Sequence, residues 1–451
     1  MNWQQLLSEH RLGRSSISDR HTGRSPFHID YDRIIFSSAF RRLQDKTQVH
    51  PLSHNDYVRR RLTHSLEVAS IARSIGYNVG TRLCHKHQLE NIHESDIGSI
   101  VSAAALAHDI GNPPFGHSGE DAIRYWFESS EIAKRMAIGM SEKEKSDVYR
   151  YEGNAQGFRM LTKLQMPDNR GGMQLTSATL GAFMKYPIES LMEGVDSSAA
   201  TKKFGFFQSE KNLFAEVAEK TGLRNRSQSG SWWCRHPLVF IVEAADDITY
   251  RIVDFEDGFR LGLVTYKEVE SLLLEILGKG FDKRILESIK EDKNKVDYLR
   301  ATTLGYLVQE IADKFVELDG ALLEGEVHQD LMTLIPSSAV LNEITQISIN
   351  RIYADRRATE IEAAGFEVTS GLLDIYVSAI DEVRRPEKVS ARSSMILKLI
   401  PDQFLSNIKE TYSPYDSLMK ILDYVSGMTD SFAVNTYKKL KGISLPGAIL
   451  R

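Results

Sequence analysis

Apolar residues recur every three or four positions along most of this chain, and short breaks rich in polar residues, glycine or proline separate the runs. That spacing is the period of an amphipathic helix. Strand-like alternation of apolar and polar residues is scarce and confined to short stretches. The pattern therefore predicts an all-α fold.

Two helices are predicted before the most polar run of the N-terminal half. The first should start near Thr63 and run towards Leu83, and the second should cover residues 96–110. Gly111 and the pair Pro113-Pro114 follow the second helix and would stop it. The adjacent pair His108-Asp109 is then expected in its last turn.

Two further helices are predicted downstream. One should begin at Ser118, a favourable N-cap, with Glu120 and Asp121 in a first turn where carboxylates complement the helix dipole. The other should cover residues 237–256, with a proline at its first position and Gly258 at its end. Segments 165–174 and 221–231 are rich in Gly, Ser, Asn and Arg and are predicted to be loops between helices, whereas the C-terminal third is predicted to be helical.

Composition places the chain among ordinary globular proteins. Its 451 residues are 42% apolar and 26% charged, enough for a large core. Two cysteines, Cys84 and Cys234, form neither a disulfide framework nor a CxxC pair, which favours a reducing compartment. The N-terminus lacks the apolar segment of a signal peptide, and no stretch approaches the roughly 20 apolar residues of a membrane span. We therefore expect a cytoplasmic protein.

Charge argues against general attraction to polyanions. The net charge of −5 reflects 61 acidic and 56 basic residues, so phosphate binding would have to be local. Basic residues do cluster at 41–42, 59–61, 202–203, 356–357 and 384–385. Most such clusters are solvated surface charge.

The run from His108 to Glu120 carries the strongest chemical signal. An imidazole nitrogen of His108 and a carboxylate oxygen of Asp109 can bind one divalent cation. His117 could face the same cavity without binding the metal, oriented by Glu120 three residues later. Taken alone, a His-Asp pair is more often a capping aspartate beside a partly buried histidine.

Other positions supply further ligands. His64 lies at the start of an apolar helix, and the helix predicted over residues 237–256 carries Asp246, Tyr250 and Asp254 at intervals of four. With about 3.6 residues per turn these three project from one face. That face is either a solvent-exposed edge or the wall of a polar site, and the apolar content of the helix favours the site.

Taken together, the residues resemble a known family. The order of His64, His108-Asp109 and Asp246 is the H…HD…D pattern of the HD superfamily of metal phosphohydrolases. Further segments resemble the bacterial dGTPase-like deoxynucleoside triphosphate triphosphohydrolases; they are residues 39–49, 61–65, 108–120, 152–157, 181–186 and 243–250, and more weakly 370–373 and 424–430. The resemblance covers nearly the whole chain, and the run from His108 to Glu120 is its most specific part.

The resemblance implies an HD-domain helical core with additional helical insertions and C-terminal helices. Residues 1–260 would form the catalytic core with the metal and phosphate site, and residues 261–451 would contribute a base pocket and oligomer contacts. The implied reaction is metal-dependent hydrolysis of a dNTP, with dGTP the first candidate, to a deoxynucleoside and inorganic triphosphate. A homo-oligomer, a hexamer in relatives, is implied too, as is a possible nucleotide effector or single-stranded DNA.

The resemblance also implies a role for individual residues. The metal ligands would be His64, His108, Asp109 and Asp246. His117 would be the catalytic histidine, with Glu120 as its hydrogen-bonded partner. Substrate contacts would come from Gln48 and Asp254 to the sugar 3′-hydroxyl, Tyr250 where a 2′-hydroxyl would clash, Arg61, Asn154 and Lys185 to phosphates, and Tyr353, Glu362 and Arg392 to the base.

Two alternatives remain open at this stage. One is an HD phosphodiesterase or 5′-nucleotidase acting on monophosphates or cyclic nucleotides. The other is a module that binds nucleotides or single-stranded DNA without turnover. The nitrogen and oxygen donors admit Mg²⁺ or Mn²⁺ first, and also Co²⁺, Ni²⁺ or Fe²⁺, while base selectivity depends on pocket shape.

Overall fold

Helices form nearly all the regular structure of the chain, as its apolar periodicity predicts. The computed structural model describes residues 1–14, 24–47, 59–192, 203–227, 229–354, 356–385, 389–405 and 413–444. Extended pairing in those ranges is limited to isolated bridges such as Ile188 with Trp232. The fold is therefore all-α, as an HD domain is.

The helices follow one another along the whole chain. Those of the first half are α1 (Trp3–Leu6), α2 (Pro26–Ile35), α3 (Ser38–Arg42), α4 (Arg61–His87), α5 (Glu94–Ala107), α6 (Gly116–Ser129), α7 (Glu131–Met136), α8 (Glu142–Tyr149), α9 (Gly153–Arg159), α10 (Ser177–Phe183) and α11 (Lys211–Thr221). Those of the second half are α12 (Val239–Ile248), α13 (Asp254–Arg260), α14 (Tyr266–Leu277), α15 (Arg284–Ser288), α16 (Asp292–Glu317), α17 (Asp319–Glu324), α18 (Ser338–Ile347), α19 (Arg356–Arg384), α20 (Ala391–Leu397), α21 (Asp402–Leu405), α22 (Pro414–Ser426) and α23 (Asp430–Leu440).

Three π-helical segments extend helices of this series. They are Met160–Leu164 after α9, Thr249–Val253 between α12 and α13, and Ser348–Ile352 after α18. A π-helical turn inserts a residue and widens the helix, and such turns occur frequently at functional sites. The last two segments bring Tyr250 and Tyr353 together, as described below.

Helix α5 is the centre of the larger hydrophobic core. Every residue from Asp96 to Ala107 is buried, and α2, α4, α10 and α12 pack around it. A helix that is apolar on all sides must be enclosed, which explains the run Ala103 to Ala107. The C-terminal end of α5, where His108 and Asp109 follow, is thereby fixed inside the protein.

A second hydrophobic cluster joins α6, α7 and α8 to the C-terminal helices α19, α20, α22 and α23. Residues 359–384 of α19 are long and apolar enough to cross a membrane, although the sequence had suggested that no stretch was. The most apolar window of this helix is 56% buried against its neighbours, as in a core helix. The two clusters do not divide at residue 260, and the division into 1–260 and 261–451 stays a prediction.

Helix boundaries near the polar run differ from the predicted ones. Helix α5 ends at Ala107, so His108 is its C-cap and Asp109 lies in the following turn. Helix α6 begins at Gly116 because Phe115 adopts a left-handed conformation with φ 63° and turns the chain early. Glu120 therefore lies beyond the first turn, and the predicted dipole contribution was wrong.

The fourth predicted helix also differs in its limits. Pro237 precedes it, because α12 begins at Val239. The helix does not stop at Gly258, since the π-helical segment leads directly into α13, which ends at Arg260. The glycine is buried and lies against Ile352 and Val264, where a Cβ atom would clash with both. Close packing, and not termination, accounts for the glycine.

Candidate metal centre and substrate cavity

Three helices bring four potential metal ligands together. His64 comes from α4, His108 and Asp109 from the end of α5, and Asp246 from α12. Donor atoms of His64, His108 and Asp109 all lie within 4.8 Å of one another. Asp246 Oδ1 lies 3.0 Å from His64 Nε2 and 3.6 Å from His108 Nε2. The four residues thus form one cluster.

Hydrogen bonds and neighbouring charges favour the protonation states that a metal ligand needs. His108 Nδ1 lies 2.6 Å from the Ala105 carbonyl oxygen, so this nitrogen carries the proton and Nε2 is the donor atom available to a metal. Burial tends to raise the pKa of Asp109, but Arg61 and His108 overcome that effect and hold it well below its usual range. Two imidazoles and two carboxylates at this spacing fit a divalent metal ion.

Arg61 and Asn112 fix the orientation of Asp109. Arg61 Nη1 donates to Asp109 Oδ2 at 2.7 Å, and Asn112 Nδ2 donates to Oδ1. Gly116, with φ 58°, makes room for this arginine, because a Cβ atom there would lie 2.5 Å from Arg61 Nη2. The turn that starts α6 early is therefore also the turn that admits Arg61 to the cavity.

His117 and Glu120 form a hydrogen-bonded pair at the side of the cluster. His117 Nδ1 lies 3.0 Å from Glu120 Oε2, while the backbone N–H of Gly153 donates to Oε1 at 2.7 Å. Burial tends to raise the pKa of Glu120, but the hydrogen bond from His117 and the charge of Lys203 lower it overall. An ionised carboxylate only accepts, so His117 carries its proton on Nδ1 and Nε2 can exchange a proton with a ligand.

Glu120 belongs to a network that also holds two cations. Buried Glu152 accepts from Lys203 Nζ at 3.0 Å and Asn154 Nδ2 at 2.8 Å on one oxygen, and from Arg124 at 3.3 Å on the other. Lys203 and Arg124 also lie 3.9 and 3.8 Å from Glu120. Lys203 and Asn154 line the cavity, and this network fixes both of them beside His117.

A second carboxylate, that of Glu243, positions Lys185 in the cavity lining. Lys185 Nζ lies 3.3 Å from Glu243 Oε1, and the other oxygen of Glu243 pairs with Arg235. Arg235 is 7% exposed, and its guanidinium lies 4.2 Å from the Phe240 ring centre. Glu243 thus contacts the buried Arg235 with one oxygen and holds Lys185 at the cavity with the other.

Two stacked aromatic rings form another part of the cavity lining. Tyr250 and Tyr353 stack with ring centres 5.1 Å apart and an interplanar angle of 20°. Tyr353 donates to Asp254 Oδ2 at 2.9 Å, which places Asp254 behind the stacked rings. Burial raises the pKa of Asp254 to about 7.

Most residues singled out in the sequence line one cavity of about 510 Å³. They are Arg61, His64, His108, Asp109, His117, Asn154, Lys185, Asp246, Tyr250, Tyr353 and Glu362. Glu120 and Asp254 lie directly behind it. Arg392 is exposed on α20 and is absent from the cavity lining in the described part of the chain. Gln48 lies outside the described residues.

The cavity contains functional candidates that sequence reasoning missed. Lys203 follows a polar segment, and its pairing with Lys202 was interpreted as surface charge. Glu243 and Asn112 lay inside recognised motifs without an assigned role. Phe183, Tyr186, Val239 and Val242 complete the lining and carried no signal beyond their apolar character.

This arrangement of helices and ligands defines the protein as an HD-type phosphohydrolase. Residues 61–155 match the HD domain family, and residues 337–439 match the phosphohydrolase-associated domain family. The matched HD segment contains His64 and the pair His108-Asp109, whereas Asp246 lies outside it.

Relatives match over nearly the whole chain. A deoxyguanosinetriphosphate triphosphohydrolase-like protein of Synechocystis sp. is 44% identical over 99% of this chain and 100% of its own length. A protein of the same description from Pseudomonas aeruginosa is 40% identical, with 99% and 100% covered. A deoxyguanosinetriphosphate triphosphohydrolase of Salmonella paratyphi A is 30% identical, with 98% and 99% covered. The chain belongs to the deoxyguanosinetriphosphate triphosphohydrolase-like family of HD hydrolases.

Proposed function

We propose that this protein hydrolyses deoxynucleoside triphosphates, with dGTP the first candidate, to a deoxynucleoside and inorganic triphosphate. The observation that carries the proposal is that a single cavity joins the four-residue ligand cluster, the His117–Glu120 pair and two separately positioned lysines. A substrate with several phosphates and a nucleoside would reach all of these groups at once. The relatives' printed names point to the same substrate class.

The triphosphate would lie among four polar side chains of the cavity lining, three of which are cations. They are Arg61, Asn154, Lys185 and Lys203. Each of these side chains is already held by a carboxylate, so little conformational entropy remains to be lost when phosphate binds. Charge spread over the phosphates in the transition state would be neutralised by these groups.

His117 would exchange a proton with the 5′-oxygen of the nucleoside as the bond to the α-phosphorus breaks. Its Nδ1–H is held by Glu120, so Nε2 is the atom that takes part. A positioned general acid or base of this kind contributes about 10²–10⁴ in rate. Glu120 stabilises the imidazolium form of His117 through the same hydrogen bond.

The nucleoside would occupy the aromatic end of the cavity. Tyr250 presents a ring to the sugar, where a 2′-hydroxyl would meet it, and Tyr353 stacks behind that ring. Asp254 supports Tyr353 and is proposed with Gln48 for the sugar 3′-hydroxyl. Glu362 is the proposed base contact at the rim.

A divalent cation is the proposed cofactor, with Mg²⁺ or Mn²⁺ the first candidates. His64, His108, Asp109 and Asp246 would hold it, and the ion would supply Lewis-acid polarisation of a phosphate oxygen. The orientation of Asp109 by Arg61 and Asn112, described above, is the contribution of the surrounding protein to that site.

Product analysis tests the proposal. The protein, supplemented with Mg²⁺ or Mn²⁺, is incubated with each dNTP and rNTP, and both products are separated by chromatography. We expect deoxynucleoside and inorganic triphosphate from a dNTP and little turnover of the rNTPs. Orthophosphate released from a deoxynucleoside monophosphate, or cleavage of a cyclic nucleotide, would support the 5′-nucleotidase or phosphodiesterase alternative instead.

The role of His117 has its own test. His117→Ala should lower kcat by about 10²-fold or more while metal content, measured by elemental analysis, stays that of the wild type. His85→Ala, which removes an exposed histidine of α4, is the matched control and should leave both quantities unchanged. Loss of metal from His117→Ala would mean that this histidine is a ligand and not the proton-exchanging group.

A further inference from the structure

A second cavity, larger than the one that holds the ligand cluster, lies next to the C-terminal end of α9. It encloses about 760 Å³ between α3, the π-helical segment Met160–Leu164, and the helices α21, α22 and α23. The site described above uses none of its lining residues. Its wall includes Met166, a non-glycine residue with φ 58°. Left-handed residues and π-helical turns both concentrate at ligand sites.

Arg42 gives this cavity an unpaired positive charge. Its guanidinium lines the cavity, and within the described ranges its one polar partner is the thioether sulfur of Met160 at 3.6 Å. Burial lowers the pKa of Arg42, and no carboxylate opposes that effect. Arg159 on the same wall, by contrast, pairs with Asp423 at 2.7 Å and Glu210 at 2.6 Å. A partly buried guanidinium without a counter-ion is a binding position for an anion.

Aromatic side chains also line this cavity. The rings of Phe404 and Tyr424 lie 5.3 Å apart at one side. Phe432, which also lines the cavity, leaves 51% of its surface exposed, unusual for so large an apolar residue. Lys163, whose ammonium group lies 3.3 Å from Glu210, and Lys420 are further cations of the lining. The cavity thus offers an anion contact and an aromatic surface together.

We propose that this second cavity binds a small organic anion that carries an aromatic ring. The anionic group would pair with Arg42, and the ring would lie against Phe404, Tyr424 and Phe432. A nucleoside monophosphate and an aromatic carboxylate share this chemistry and are the two sources to distinguish.

The wall of the cavity is linked by a hydrogen bond to the turn that precedes His117. Gly427, Met428 and Thr429 line the cavity, and the next residue, Asp430, accepts from the backbone N–H of Phe115 at 2.9 Å. Phe115 is two residues before His117. A ligand that fixes the segment 427–432 would therefore also fix the turn that positions His117.

Lys46 provides a second connection between the two regions. Its ammonium group donates to the carbonyl oxygens of Asn112 and Ser426. Burial, and next the positive charge of Arg42, lower the pKa of Lys46 to about 7. An anion bound to Arg42 would cancel the effect of the Arg42 charge on Lys46. It would therefore favour the charged ammonium form that donates these two hydrogen bonds.

Binding is tested with three probes on the full-length, Mg²⁺-loaded protein. Phenylphosphonate carries both the ring and the anion, inorganic phosphate carries the anion alone, and benzyl alcohol carries the ring alone. Titration calorimetry should give a dissociation constant for phenylphosphonate about tenfold below that of either fragment. Equal affinity for phosphate and phenylphosphonate would overturn the aromatic part of the proposal.

Matched variants locate the binding. Arg42→Gln should weaken phenylphosphonate binding about tenfold, whereas Arg41→Gln, which removes the neighbouring arginine outside the cavity lining, should leave it unchanged. Phenylphosphonate should also bind in the substrate cavity, and Lys185→Gln should weaken only that event and leave the Arg42-dependent event unchanged. Phe432→Ala, at a half-exposed position where the fold has little to lose, should weaken the Arg42-dependent event too. Wild-type affinity in both Arg42→Gln and Phe432→Ala, or loss of the Arg42-dependent event in Lys185→Gln, overturns the site.

Competition and hydrogen exchange complete the test. Displacement of phenylphosphonate by adenosine monophosphate or by benzoate identifies the source and supports the proposal, and displacement by neither overturns it. Exchange of the Phe115 amide should slow when the wild type is saturated with phenylphosphonate and not when Arg42→Gln is treated in the same way. If phenylphosphonate leaves hydrogen exchange of the Phe115 amide unchanged in the wild type, the connection to the turn before His117 is refuted.

Discussion

Glu152 offers the sharpest test of how the substrate cavity is organised. One of its oxygens accepts from both Lys203 and Asn154, the two side chains proposed to meet phosphate next to His117. Glu152→Gln keeps the shape and one acceptor oxygen but removes the charge. Both hydrogen bonds then become weaker, and the amide group meets Arg124 where a carboxylate oxygen stood.

The size of the effect follows from the kind of bond lost. Hydrogen bonds to charged groups contribute about 1.5–3 kcal/mol and neutral ones about 0.5–1.5 kcal/mol. Lys203 keeps 32% of its side chain exposed, so solvent screens part of the difference. We therefore expect a loss of about 1–2 kcal/mol, or roughly 5–30-fold in kcat/KM for dGTP. Most of it should appear in KM, because under the proposed function the phosphates would contact Lys203 both before and during the reaction.

Steady-state kinetics with dGTP and inhibition by inorganic tripolyphosphate measure this effect. The inhibition constant of tripolyphosphate should rise in parallel with KM, and its value does not depend on the rate of turnover. Asp121→Asn is the matched control: Asp121 pairs with the same Arg124 at 3.0 Å but is 64% exposed and remote from the cavity. Its kinetic constants should stay within about twofold of the wild type.

A double-mutant cycle decides whether Glu152 acts through Lys203. Lys203→Met should raise KM, and adding Glu152→Gln to it should have little further effect, because the side chain that Glu152 positions is gone. Additive effects of the two substitutions would refute the reasoning, as would equal losses in Glu152→Gln and Asp121→Asn. Either result would mean that Glu152 supports the fold and not the phosphate subsite.

Two further predictions concern the backbone of the site and a buried histidine. In Gly153→Ala the new Cβ atom would lie 2.6 Å from Glu120 Oε1, so kcat should fall about 10–100-fold while circular dichroism is unchanged; a wild-type kcat would contradict this. Buried His236 accepts from the Leu238 N–H and donates to the Leu6 carbonyl, and burial lowers its pKa to about 4. As the pH falls from 6.5 to 4, the unfolded chain therefore binds a proton at His236 before the folded chain does, which destabilises the fold. Over that range the unfolding free energy of the wild type should fall by about 3 kcal/mol relative to that of His236→Gln, as measured by urea titration. Parallel pH profiles of the two proteins would refute it.

Apolar periodicity was sufficient to predict the helices that carry the metal cluster. Helix α5 is apolar on all sides and α4 carries its apolar residues inward, so their positions followed from local spacing. The limits of α6 did not follow, because Phe115 adopts a left-handed conformation and its N–H donates to Asp430, more than 300 residues away in the sequence. A tertiary hydrogen bond of that kind leaves no local pattern.

The ion pairs inside the cavity also could not be predicted from the sequence. The π-helical turn after Ile248 shifts the register of the helix, so equal spacing of Asp246, Tyr250 and Asp254 did not put all three in the cavity lining. Lys203, in the loop before α11, pairs at the cavity with Glu152, the N-cap of α9. Sequence spacing identifies which residues share one helix face, and it carries no information about partners that other elements supply.

The cavity cations share one further property that bears on the size of the substrate. Each of them is held by a carboxylate of the protein; the pairs are Arg61 with Asp109, Lys185 with Glu243, and Lys203 with Glu152. A ligand must compete with those carboxylates for each cation, and a single phosphate can engage only a few of the donors spread over the cavity walls. A chain of three phosphates can meet several cations at once, so its second and third contacts form at high effective concentration after the first. The same pairing keeps the cations ordered before a ligand arrives, and it supports the proposal of a triphosphate substrate over the monophosphates that a 5′-nucleotidase would bind.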